Sequence, residues 1–214
     1  MKHMFTGVMV PAMTLLPLMY GLCRRCYCFA SCRTLLWYLS IALATNVIER
    51  IIGALHHNNL PLLHLYTLIE GVLLLQFYGH VLEGKIWKQR ILFFKILLAG
   101  ICVLDAFYYH SLWTFNTYAR PAAALMITAL ALYVLADQIK KQEQFSPLEQ
   151  SLAWLNSGVL MYFMSSLLYF SLLNPIVRQV SDSLWFVIGH LHAFFEMVMY
   201  LLFTVGFYYA KHDR

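Results

Sequence analysis

The stretch 185–211, WFVIGHLHAFFEMVMYLLFTVGFYYAK, decides the class of this chain. From Trp185 to Ala210 it has no lysine, arginine or aspartate, and its one acid is Glu196. A helix needs about 20 mostly apolar residues to cross a hydrocarbon core of roughly 30 Å. This run supplies them. The whole chain of 214 residues follows suit: 61% of it is hydrophobic, 12% is charged, and the mean hydropathy is +0.66. A soluble domain carries about twice that charge fraction. The chain therefore reads as all-α: a polytopic membrane protein that forms one transmembrane domain over 1–214.

Seven spans are expected, at about 4–22, 34–55, 61–81, 91–110, 117–137, 151–173 and 184–209, with short loops between them. Pro61, Pro121 and the Asn174-Pro175 pair fall at span starts or in a loop, where proline is tolerated. Pro11 and Pro17 fall inside the first span, which should be kinked or irregular. No small-x-small cleavage site follows that span, so it reads as a retained helix rather than a signal peptide. The sequence has no internal repeat and no low-complexity segment.

Orientation follows from the basic residues of short loops. Arg24, Arg25, Arg33, Lys85, Lys88, Arg90, Lys95, Lys140, Lys141, Lys211 and Arg214 share one side, which makes it cytoplasmic and puts the N-terminus outside. Lys2 and Arg178 lie on the other side, and Arg50 and Arg120 within spans. The net charge of +5 sits in these loops, so nucleic acid is not an expected partner; the lipid bilayer is. Trp37, Trp87, Trp113 and Trp185 fall near span ends, where amphipathic rings meet the headgroups.

Ionisable side chains inside spans are costly and tend to face the bundle interior. At about 1.5 Å per residue, nearly all of them fall between the outer surface and the midplane. Glu49 and Arg50 are on span 2, His64, Tyr66 and Glu70 on span 3, Asp105 and His110 on span 4, Arg120 on span 5, and His190, His192 and Glu196 on span 7. The inner half has only His80 and Lys95. The pattern predicts a polar pocket open to the outside above a dry inner half. On span 7, His192 and Glu196 share a face, whereas His190 points about 200° away from His192.

A zinc site is conceivable from His64, His190 or His192 with Asp105 or a glutamate. There is no HExxH, and the HxxxH that metal-dependent seven-helix hydrolases carry on their last span is missing. A haem held by His64 and His190 is possible by residue type alone. A retinal chromophore is disfavoured, because span 7 has no mid-helix lysine. No cofactor is expected. The cysteines Cys23, Cys26, Cys28 and Cys32 form C-x2-C-x-C-x3-C in the first cytoplasmic loop, a compact spacing that reads more simply as juxtamembrane thiols without a metal.

Three stretches carry a resemblance: HNNLPLLHLYTLIEGVLLLQFY (57–78), WLNSGVLMYFMSSLLYFSLLN (154–174) and the 185–211 run. They are similar to a group of small, uncharacterised seven-helix bacterial membrane proteins that resemble the membrane-embedded input domains of sensor histidine kinases. The matching residues are Asn59, His64, Tyr66 and Glu70, then Asn156, Gly158, Tyr162 and Phe163, then Trp185 with His190 or, less well, His192. Glu196 departs from the pattern. The resemblance implies a bacterial inner-membrane protein that senses a small ligand, a proton or a lipid headgroup. It would signal through a kinase or another partner, and repacking of spans 2, 3 and 7 would carry the response. An intramembrane zinc hydrolase or lipid-modifying enzyme is the second reading. A small proton-coupled transporter is the third.

Overall fold

The computed structural model describes residues 9–82, 84–109, 112–141, 146–176 and 182–210. Lys2, His110, Arg178, Lys211 and Arg214, the start of the first expected span and the side chain of Trp185 lie outside the described residues. The described chain is helical: α1 (Val10–Met13), α2 (Leu15–Cys23), a short 3-10 turn (Cys26–Cys28), α3 (Ala30–Ala54), α4 (Leu60–Val81), α5 (Lys85–Leu104), α6 (Ala119–Lys141), α7 (Pro147–Ile176) and α8 (Asp182–Tyr209). The six helices α3 to α8 are long and apolar enough to cross a membrane. The run Val10–Cys23 is a shorter apolar helix.

That run is broken as its prolines demand. Pro17 has no N–H to offer the carbonyl of Met13, and its ring crowds that carbonyl. The helix lapses at Thr14, between α1 and α2. The other boundaries also have local causes. α3 closes with His56 in the left-handed region at φ 56. The amides of His56 and His57 return to the carbonyls of Gly53 and Ile52 at 3.1 Å each, the double bond of a Schellman end. α4 opens where Asn58 Oδ1 accepts the Leu60 amide at 2.9 Å, with Pro61 in the first turn. The turn into α5 uses Gly84 at φ 108, a conformation side chains resist. It is so tight that α5 starts at Lys85, earlier than the expected 91, and Lys85, Lys88 and Arg90 belong to the helix itself. Beyond Leu104 the chain widens into a π-turn over Asp105–Tyr109.

Consecutive helices run in opposite directions. Gly158 faces Phe203 and Gly206 faces Leu155 across α7 and α8, so these two are antiparallel. Gly71 and Gly79 of α4 meet Leu98 and Ile91 of α5 in the same sense. α4 and α6, by contrast, run in parallel, with Thr67 beside Arg120 and Gly71 beside Ala123. Glycines at these crossings let backbones approach closely, which is how membrane helices gain van der Waals contact without a hydrophobic drive between them. One consequence is charge segregation. The exposed Arg24, Arg25, Arg33, Lys85, Lys88, Arg90 and Lys140 gather at one end of the bundle.

That end also holds the cysteines. Cys26 is fully buried, and its thiol donates to the carbonyls of Phe207 (3.5 Å) and Ala210 (3.7 Å), pinning the 3-10 turn to the end of α8. Burial pushes the Cys26 thiol up to about 11. Because the thiolate is the reactive form, Cys26 should resist a maleimide at pH 8, while the exposed Cys23 and Cys28 label readily. Peptide mass spectrometry before and after denaturation checks this; modification of Cys26 as fast as Cys28 in the folded protein would contradict the burial.

Candidate functional site

A polar cluster occupies the core towards the end of the bundle away from the basic residues. Its centre is Glu70 on α4, 6% exposed. The hydroxyls of Tyr38 (α3) and Tyr66 (one helical turn before Glu70) both donate to Glu70 Oε1, at 3.3 and 3.2 Å. Among the described residues Glu70 thus has two neutral donors and no ion pair within hydrogen-bonding range.

The nearest cation is Arg120, in the first turn of α6. Its Nε donates to Thr67 Oγ1 at 3.2 Å. Its guanidinium lies 4.7 Å above the Phe170 ring and 5.9 Å from that of Tyr66. Thr67 is saturated: its hydroxyl donates to the Leu63 carbonyl and accepts from both Arg120 and Asn116 Nδ2. Arg120 is held by one hydrogen bond and two ring faces, with its charge directed at a shared field. Glu49, Glu70 and Glu196 are all within its electrostatic reach.

α7 and α8 complete the cluster. The His192 ring stacks on Tyr169 (4.8 Å, 6°) and Tyr162 (5.2 Å, 25°), with Phe170 edge-on at 5.8 Å. The Ser165 hydroxyl donates to the Tyr162 carbonyl at 2.8 Å, so His192 Nδ1–H is the donor in its 3.1 Å bond to Ser165 Oγ. One turn further along α8, Tyr200 donates to Glu196 Oε1 at 2.8 Å. Between these groups is a cavity of about 10 Å³, lined by Thr67, Glu70, Arg120, Tyr162, Ser166 and Phe170 among others. That is about the size of one water molecule. Where the sequence predicts an outward-open polar pocket, the described residues show this small polar cavity.

The candidates from the sequence separate into two groups. Tyr66, Glu70, Arg120, His192 and Glu196 come together, and Glu49 borders them, half-buried. The others sit elsewhere. Arg50 is exposed on the outside of α3. His64 Nε2–H donates to the Thr114 carbonyl at 2.9 Å, tying α4 to the segment before α6. Asp105 is buried, and its Oδ2 accepts the amides of Tyr118 (3.1 Å) and Ala119 (2.9 Å), so it caps α6 from another helix. His190 Nδ1–H turns back to its own helix at the Phe186 carbonyl, 2.8 Å. It is therefore His192, not His190, that looks into the bundle. The four candidates for zinc do not gather: among the described residues no three of His, Cys, Asp or Glu form a metal-holding group.

Sequence reasoning missed Tyr38, Thr67, Ser165, Ser166, Tyr169 and Tyr200 as site residues. The signal available was helical spacing: Tyr66 with Glu70 and Glu196 with Tyr200 are i, i+4 pairs, which face one another. The half of the bundle nearer the basic end carries polar ties of a different kind. Tyr78 donates to Asn156 Oδ1 at 2.9 Å, and Asn156 Nδ2 donates to the Ala131 carbonyl at 3.0 Å, joining α4, α7 and α6. Lys95 donates to Gln76, which in turn donates to His80 Nε2 at 2.9 Å.

Comparison with protein-family models, curated proteins and solved structures finds no match to this chain. The functional reading therefore rests on the geometry of the cluster and on the resemblance noted from sequence.

Proposed function

We propose that this is a membrane-embedded sensor, and that its responsive element is the Glu70–Arg120 cluster. In this reading the bundle has seven spans, counting the broken α1–α2 helix as the first. It lies in a bacterial cytoplasmic membrane with the N-terminus outside. The basic end of the bundle supports that orientation, since short cytoplasmic loops carry the excess of lysine and arginine.

One observation carries the proposal. A buried carboxyl group is held by tyrosines from two helices, α3 and α4, faces a cation from α6, and shares that cation with carboxylates on α3 and α8. Adding or removing a single charge there changes what α3, α4, α6, α7 and α8 gain from being packed together. A bundle held in this way is biased between two arrangements by differential interaction at one point, which is all that a ligand or proton needs to supply. Because the cavity has room for about one water molecule, the stimulus is a proton or a small polar group admitted when the helices part. The loops at the basic end then present the altered packing to a sensor kinase or another signalling partner.

Hydrogen exchange on the protein in lipid nanodiscs, between pH 5 and 8, tests this reading. The wild type should show a pH-dependent change in protection within α4 and α7, and Glu70→Gln should abolish it. Glu70→Gln keeps an oxygen to accept from Tyr38 and Tyr66, so the fold survives the change. A pH response that persists unaltered in Glu70→Gln removes Glu70 from the mechanism.

A further inference from the structure

The opposite end of the bundle has a second feature that the sensor reading does not use. A membrane-facing groove of about 700 Å³ runs between α5 and α6. Its floor and walls are apolar, with Phe93 on α5 and Met126 and Ala129 on α6. At its mouth three side chains form a ladder: Tyr133 packs on Trp87 at 4.7 Å, and the Arg90 guanidinium lies over Trp87 at 4.9 Å. Arg90 is exposed, and among the described residues its partner is that ring, with no carboxylate paired to it.

We propose that this groove binds one anionic phospholipid from the leaflet at the basic end. The length agrees. From Tyr133 to Leu125, the far end of the lining on α6, is eight residues, or roughly 12 Å at 1.5 Å per residue. That is most of one leaflet's share of a ~30 Å hydrocarbon core. An acyl chain lies along Phe93, Met126 and Ala129 while the headgroup reaches the mouth. There Trp87 and Tyr133 sit as interfacial aromatics do. Charge selects the headgroup. Arg90 lies over the indole, no carboxylate among the described residues takes its donors, and a fork of guanidinium N–H groups suits phosphate oxygens bidentately. A basic pocket between membrane helices at the cytoplasmic face is the kind of place where acidic headgroups dock. The proposal concerns a different face from the Glu70 cluster and stands or falls independently of it.

The test uses the purified full chain in detergent micelles. Phosphatidylglycerol and phosphatidylcholine of identical acyl chains compete for it, and retained lipid is read by native mass spectrometry. Phosphatidylglycerol should be retained in preference, at one copy per chain. Arg90→Gln should cut that preference about fivefold, the size expected for one basic side chain near an anionic headgroup. Lys85→Gln, exposed on the same helix end but outside the groove, should leave it unchanged. Ala129→Phe, which projects a ring into the groove, should weaken retention of both lipids. Unchanged melting in phosphatidylcholine shows that the Arg90→Gln protein is folded. Equal retention of the two lipids overturns the proposal. So does an equal loss from Lys85→Gln, which would assign the preference to the general surface charge. Binding of glycerol phosphate alone as strongly as the lipid would make this a free-anion site and overturn it too.

Discussion

Arg120→Met should destabilise the protein by about 3 kcal/mol, the upper end of the coupling measured between residues that share one electrostatic network. A guanidinium remains charged throughout the accessible pH range. Arg120 is the one cation, among the described residues, whose field reaches Glu49, Glu70 and Glu196 together. Methionine is long enough to fill the space against Phe170 and Tyr66, so most of the loss is electrostatic. A smaller part, about 0.5–2 kcal/mol, is the lost cation–π contact. Thr67 keeps its bonds to Leu63 and Asn116 in the variant. The partner change separates these contributions. Glu70→Gln alone removes an acid while keeping an acceptor for Tyr38 and Tyr66, and should cost less. In the double variant the loss should fall short of the sum of the singles, with a coupling of about 0.5–3 kcal/mol. Denaturant or thermal unfolding of the four proteins in one detergent measures the cycle. Strict additivity would mean that Arg120 and Glu70 do not act on each other.

The helices themselves were legible because a bilayer imposes a length and an apolarity that few soluble segments share. α4 and α8 fall within two residues of the limits read from the apolar runs. The depth of Glu70, Arg120, His192 and Glu196 was legible for the same reason, since depth follows from counting residues along a helix. Facing was not. α3 and α8 are apolar around much of their circumference, so no amphipathic stripe tells Glu49 from Arg50, or His190 from His192. The sequence limits the histidines to opposite faces. The choice between them is made by Tyr162, Ser165 and Tyr169, whose spacing on α7 builds a slot that one ring fills. Asp105 misleads for a related reason. An intramembrane aspartate reads as a site residue by default, yet the π-turn after α5 places this one against the amides that open α6. Nothing local in the sequence near Asp105 announces a contact thirteen residues away.

The second large effect belongs to packing. Gly206→Leu should destabilise the bundle by about 3 kcal/mol or more, since added methylenes in a filled core cost about 1–3 kcal/mol and occasionally more. A Cβ at Gly206 would lie 2.6 Å from Leu155 Cγ, 2.7 Å from its Cδ2 and 3.2 Å from the Ser151 carbonyl oxygen. Leu155 is fully buried, and the Ser151 carbonyl is α7 backbone. The relief available is for α8 to move away from α7. Gly100→Leu is the control. It also places leucine in a helix interior, but at an exposed position with nothing within 4 Å of the new Cβ. There the change should be neutral or stabilising by about 0.5–1 kcal/mol, because glycine is the poorer helix former. A local readout separates displacement of α8 from general loosening. The carbonyls of Phe207 and Ala210, which cover the Cys26 thiol, follow directly on Gly206. If α8 is pushed outward, Cys26 should become reactive towards maleimide in Gly206→Leu under conditions where it stays protected in Gly100→Leu. A Gly206→Leu protein that melts like the wild type and keeps Cys26 protected would show that α7 and α8 do not depend on this close approach.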